Sequence, residues 1–157
     1  MSKRTLKSGR AAPVKKRNRA HLGTGDAGLD LDYGNPAKLV QLIVDGLPYV
    51  MVRRFRQATG LSQQTVAGLL RVPLRTLGRR RTQGRLRPEE SDRLVRVSRV
   101  FSKAIALFEG DANAATRWLS TSQPALDQHV PLDFMQTEVG SREVEDLIGR
   151  LEHGVFT

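Results

Sequence analysis

Residues 60–84 read GLSQQTVAGLLRVPLRTLGRRRTQG. Two short helices joined by a tight turn are written into this stretch. Ser62 suits the N-cap of a helix over Gln63 to Leu70, because its hydroxyl can accept from an orphan N–H of the first turn. Pro73 stands at the head of the next helix, where the missing N–H is tolerated, and Gly84 marks its end. Ala67, Leu70, Val72 and Leu77 fall where two steeply crossing helices need one small contact and a filled wedge. Arg71 in the turn calls for left-handed backbone, and Gly78 weakens the second helix by about 1 kcal/mol relative to Ala. Arg75, Thr76, Arg79 and Arg80 are left to face solvent.

Outward from this unit the apolar residues keep a helical period. Pro36 opens a helix through Leu39, Val40, Ile43 and Val44 that ends at Gly46. After Pro48 another carries Val52 and Phe55 inward with Arg53, Arg54 and Arg56 outward, and stops at Gly60. Beyond Pro88, Glu89, Glu90 and Asp92 place negative charge at a helix start, which the helix dipole favours. Leu94, Val97, Phe101, Ala104 and Phe108 then recur at three and four, with Val100, Ile105 and Leu107 widening the stripe. So broad a stripe serves as core or, in part, as a self-association face. Asp111 suits the N-cap of a segment reaching Trp118 and Leu119, and Pro131 to Met135 adds a turn. Val144, Leu147, Ile148 and Leu151 mark a last helix with Gly154 as its C-cap. The predicted fold is all-α. A disordered basic tail over residues 1–34 precedes a helix-turn-helix domain over 35–88 and a small helical domain over 89–157.

Charge divides the same chain functionally. Its 157 residues carry a formal charge of +10, with eight basic side chains and no acid in residues 1–25. Residues 49–88 hold ten arginines and no carboxylate, whereas residues 89–157 hold twelve acids against seven basic groups. Solvated faces usually mix signs, so a block of ten arginines points to a polyanion. The acidic last block needs a different partner. With no cysteine the chain has neither disulfides nor thiolate metal sites, which fits a reducing cytoplasm. No apolar run approaches the roughly 20 residues of a membrane span, so no membrane association is expected.

The quoted stretch resembles the helix-turn-helix of the Cro/repressor and Xre families, on Gln63, Ala67, Leu70, Val72 and Leu77. It departs from them in Arg71, where a turn glycine is common, and in Gly78 inside the recognition helix. The resemblance implies operator double-stranded DNA as a partner, with the second helix in the major groove. Arg75 and Arg79, one turn apart, would reach base edges, where Arg pairs bidentately with guanine. Arg80, Arg81, Gln63 and Arg53 would hold phosphates.

Residues 117–156, RWLSTSQPALDQHVPLDFMQTEVGSREVEDLIGRLEHGVF, resemble the C-terminal toxin-binding domain of the Xre/MbcA/ParS antitoxins. Trp118, Leu119, Pro124, Ala125, Leu126, Pro131, Leu132, Glu145, Ile148, Arg150 and Gly154 carry the pattern. Asp127 and Gln128 stand where that family often has two glycines. The resemblance implies an antitoxin that blocks a RES-type, NAD-consuming toxin and binds its own operator as a homodimer. Trp118, Leu126, Glu143, Asp146, Arg150, His153, Gly154, Val155 and Phe156 are the candidate toxin contacts. The final Val155 and Phe156 either fold back onto the core or are presented to the partner.

An enzyme is not expected. His21, His129 and His153 repeat no metal-ligand spacing, no Gly-rich phosphate loop follows a strand, and no serine sits in a nucleophile elbow. No cofactor, metal site or catalytic residue is therefore assigned. The competing reading is a stand-alone transcriptional regulator whose C-terminal half only dimerises. A pure dimeriser has no need of an apolar tail.

Overall fold

The computed structural model describes residues 27–154, and these build an all-α fold of eight helices with a single 3-10 turn. Helices α1 (Pro36–Asp45), α2 (Val50–Thr59), α3 (Gln63–Leu69) and α4 (Leu74–Gln83) precede the long α5 (Pro88–Leu107). After it come α6 (Ala112–Leu119), the 3-10 turn Pro124–Leu126, the short α7 (Pro131–Phe134) and α8 (Glu138–Glu152).

The caps explain why the helices start where they do. Asn35, Ser62, Asp111 and Thr137 each accept a backbone N–H of the first turn, from Lys38, Thr65, Ala114 and Gly140 respectively. At α5 the Glu90 carboxylate reaches back to the Arg87 N–H at 2.9 Å, the reciprocal half of a capping box. Left-handed Gly60 and Gly84 terminate α2 and α4. The loops outside α2 and α4 also pair, Tyr49 N–H donating to Gly84 and Leu86 N–H to Leu47, which closes the first four helices into one unit.

Helix α5 is the axis of the molecule. It packs on α1, α2 and α3 and also on α6 and α8, and α2 meets α6 directly, so the buried apolar cluster runs unbroken from Leu47 and Phe55 to Leu147 and Ile148. Of its two sequence roles the structure assigns core. Leu94, Val97, Val100, Phe101, Ala104 and Ile105 are buried, and Phe55 meets Phe101 edge to face at 5.2 Å. Leu107 and Phe108, at the end, are only half-buried. The buried serines of this helix find partners: Ser98 and Ser102 bond back to backbone carbonyls, and the Ser91 hydroxyl accepts from Leu47 N–H at 2.8 Å.

The expected disordered tail needs correction at its C-terminal end; the rest of it lies outside the described residues. Residues 27–34 are ordered against the core, with Ala27, Leu29 and Leu31 buried and the Tyr33 hydroxyl 2.7 Å from Ser98 Oγ. Gly28 makes this strap possible. It has φ 83°, and a Cβ there would lie 2.9 Å from the Arg54 carbonyl oxygen on α2.

Tight turns explain the departures from the resembled families. Arg71 does take φ 57°, and Asp127 and Gln128 take φ 50° and 66°, the left-handed backbone that glycine adopts without cost. The glycines are missing but the geometry is kept. Gly140 is indispensable for another reason: a Cβ there would lie 1.8 Å from the Phe134 carbonyl oxygen, because α8 starts hard against the end of α7.

Candidate nucleic-acid interface and partner-binding surface

Of the ten arginines in residues 49–88, eight are exposed. Arg75, Arg79 and Arg81 project from α4, and Arg53 and Arg54 from α2. Thr76 and Gln63 are half-buried, and Ser62 holds the first turn of α3 so that Gln63 stands at its head. Arg53, Arg56, Gln57, Gly60 and Leu61 line an open cleft of about 390 Å³ at the end of α2. With no carboxylate in these forty positions, the face has the sign and density of charge that a phosphate backbone recruits.

Arg80 does not belong to that face. Expected in solvent as a phosphate contact, it is 5% exposed and its Nε donates to both oxygens of Glu90, at 3.0 and 2.8 Å. Its Nη1 donates to Gln83 Oε1 at 3.0 Å. The hydrogen bond to Glu90 raises the Arg80 pKa, aided by the charges of Glu90 and Glu89 and opposed by burial. Burial alone would push the Glu90 carboxyl up. The Arg80 hydrogen bond, the Arg87 N–H and the charges of both arginines outweigh it and hold the carboxyl below its ordinary value. Arg85 is also engaged, donating from Nη1 to the carbonyls of Asp45 and Gly46. Leu74 was not foreseen: at the first position of α4 it is 47% exposed, beside Arg75.

In the second half, Glu143, Asp146, Arg150 and His153 follow one another at three, four and three along α8, so they share a face. Asp146, Arg150 and His153 line an open groove of about 520 Å³ together with Lys103, Glu145 and Gly149. Its floor is braced by Glu145, which accepts from Arg99 Nε at 2.9 Å and from Lys103 Nζ. Lys103 and Glu145 had not been singled out as contacts. For Glu145 a signal was available, since it lies four residues after Ser141 and three before the inward Ile148, at the edge of the buried stripe.

One candidate contact is placed otherwise. Leu126 is buried, at 4% exposure, where the 3-10 turn packs on α8, so it shapes the loop and presents nothing outward. Its carbonyl is occupied by His129, through the backbone N–H at 2.9 Å and Nδ1 at 2.8 Å. Trp118 is half-buried, its ring centroid 6.4 Å from that of Phe108. Gly154 is exposed with φ 66°, and Val155 and Phe156 lie outside the described residues. Val139, at the head of α8 and 74% exposed, is a further unpredicted apolar residue. Among the described residues no group of three or more His, Cys, Asp or Glu side chains could hold a metal ion, and no helix is long and apolar enough to cross a membrane.

Comparison with known proteins adds to this geometry. Residues 38–99 match the antitoxin Xre-like helix-turn-helix domain, and residues 103–154 match the antitoxin Xre/MbcA/ParS C-terminal toxin-binding domain. A protein of Yersinia enterocolitica called antitoxin Xre is 51% identical over 87 residues, covering 55% of this chain and 59% of that protein. An antitoxin Xre of Photorhabdus laumondii is 30% identical over 117 residues, covering 74% of this chain and 79% of its own length. One of Pseudomonas putida is 33% identical over 105 residues, 62% of this chain and 65% of that protein. The match thus spans less than two thirds of the Yersinia and Pseudomonas proteins and more than three quarters of the Photorhabdus one.

Proposed function

Because the chain belongs to the Xre antitoxin family, we propose that it is the antitoxin of a type II toxin–antitoxin pair, neutralising a RES-type, NAD-consuming toxin and repressing its own operon. The reading is carried by one observation: a carboxylate-free arginine face on a helix-turn-helix and a toxin-binding domain occur in the same chain. It acts by binding, with no catalysis of its own, in the cytoplasm and at operator DNA.

On the DNA side Arg75 and Arg79 read base edges, Leu74 offers an apolar surface suited to a thymine methyl, and Arg81, Arg53 and Gln63 hold phosphates. A homodimer places two such helices on successive major-groove half-sites. On the toxin side the α8 face of Glu143, Asp146, Arg150 and His153 makes the contact, extended by Val155 and Phe156. Lys103 and Glu145 form the groove wall that keeps this face rigid.

Two measurements test the reading on the full chain. Purification from the native cell yields one small stoichiometric partner; recovery of none points instead to a stand-alone regulator. Truncation after His153 abolishes rescue of cells making that partner while leaving the melting temperature unchanged. Persistent rescue excludes the C-terminal end as the neutralising element.

A further inference from the structure

Few side chains anchor the recognition helix. Only two side chains of α4, Leu77 and Arg80, are buried. Leu77 fills the wedge against α3, and the C-terminal end of α4 is tied by Tyr49 N–H donating to Gly84, but a single buried apolar side chain does little to fix how the helix is turned against α5. Arg80, one turn further on, is the second anchor. Its guanidinium crosses to α5 and meets Glu90, whose side chain and its own are each 6% exposed. Glu90 is itself fixed, because its Oε2 also accepts the Arg87 N–H at the start of α5. The chain of bonds therefore runs from α4 through two side chains to the cap of the axial helix.

We propose that the Arg80–Glu90 pair is a positioning device for DNA reading, setting the angle of α4 on α5 so that Arg75 and Arg79 meet their bases in register. The inference rests on the DNA-binding reading above. A buried ion pair contributes little net stability compared with apolar residues of similar volume, but its fixed donor and acceptor directions tolerate only one arrangement. A pivot about Leu77 would displace Arg75 and Arg79 together. Phosphate contacts tolerate such a shift, whereas bidentate base contacts do not. Loss of the pair thus removes discrimination ahead of affinity.

The test uses a duplex that the wild-type chain selects from a random-sequence library, with a scrambled duplex of equal composition as reference. The double variant Arg80→Met/Glu90→Leu keeps volume and removes both charges. It is expected to bind the scrambled duplex as the wild type does and to lose about tenfold or more of its preference for the selected one. The single variant Arg80→Lys, which keeps the charge but not the planar fork, is expected to lose preference in the same direction. Preference retained in both, or affinity falling equally on both duplexes, overturns the proposal. Failure of the wild type to select any sequence overturns the DNA-binding reading itself, so the two failures are distinguishable.

Discussion

Gly140→Ala is expected to damage the second half of this molecule severely. The added Cβ would lie 1.8 Å from the Phe134 carbonyl oxygen and 2.6 Å from its carbon, both backbone atoms of the turn that delivers the chain into α8. A flexible side chain can yield to such a contact, but this backbone is pinned by Met135, fully buried, and by the Ser141 hydroxyl donating to the Met135 carbonyl at 3.1 Å. Overpacking of this kind costs about 3 kcal/mol. Displacing the first turn of α8 also breaks the Thr137 cap on Gly140 N–H, worth about 1 kcal/mol. A loss of about 4 kcal/mol corresponds to a fall in Tm of roughly 8 to 16 °C for a domain of this size. Thermal melting followed by circular dichroism measures it. Far below the melt, DNA affinity should stay within about twofold of wild type, because α4 packs on α3 rather than on α7 or α8, while rescue from the toxin is lost. A Tm within about 2 °C of wild type would refute the reasoning, since it would mean that the Phe134 carbonyl moves aside freely.

Gln128→Gly should instead stabilise the chain, by about 0.5 to 1 kcal/mol and hence a few degrees in Tm, because φ 66° strains glutamine and not glycine. A lower Tm would show that the side chain supplies more than the strain removes. Arg79→Ala is expected to relax sequence preference on DNA, whereas Arg81→Ala weakens all sequences alike and makes the salt dependence shallower by about one counterion; competition assays at several salt concentrations separate them. The Glu90 carboxyl is held below its ordinary 4.5 in the folded chain, so its stabilisation is full above that value and is lost as the pH falls through the folded pKa. The Tm difference between wild type and Glu90→Gln should therefore be constant above pH 4.5 and narrow below it; a difference that widens on acidification would reverse the sign assigned to the pair.

The elements of this protein were legible in its sequence because their causes are local. Caps at Ser62 and Asp111, prolines at the first positions of α1 and α5, and the three-and-four spacing of Leu94, Val97, Phe101 and Ala104 act within a turn or two of themselves. The arginine-rich face was legible for the same reason, as composition without a compensating acid. Which members of a face point inward was decided only in three dimensions. Arg80 lies three residues after the inward Leu77 and so at the edge of the inward face, but that spacing does not say what partner would draw a guanidinium into the interior. That partner is Glu90, ten residues on and on another helix. Leu126 likewise turned from a candidate contact into core because α8 covers it, and the strap of Ala27, Leu29 and Leu31 found its place in a groove built by α2 and α5. Secondary structure follows from the chain's own spacing, but burial belongs to pairs of elements, and which elements meet is settled only when the whole core closes.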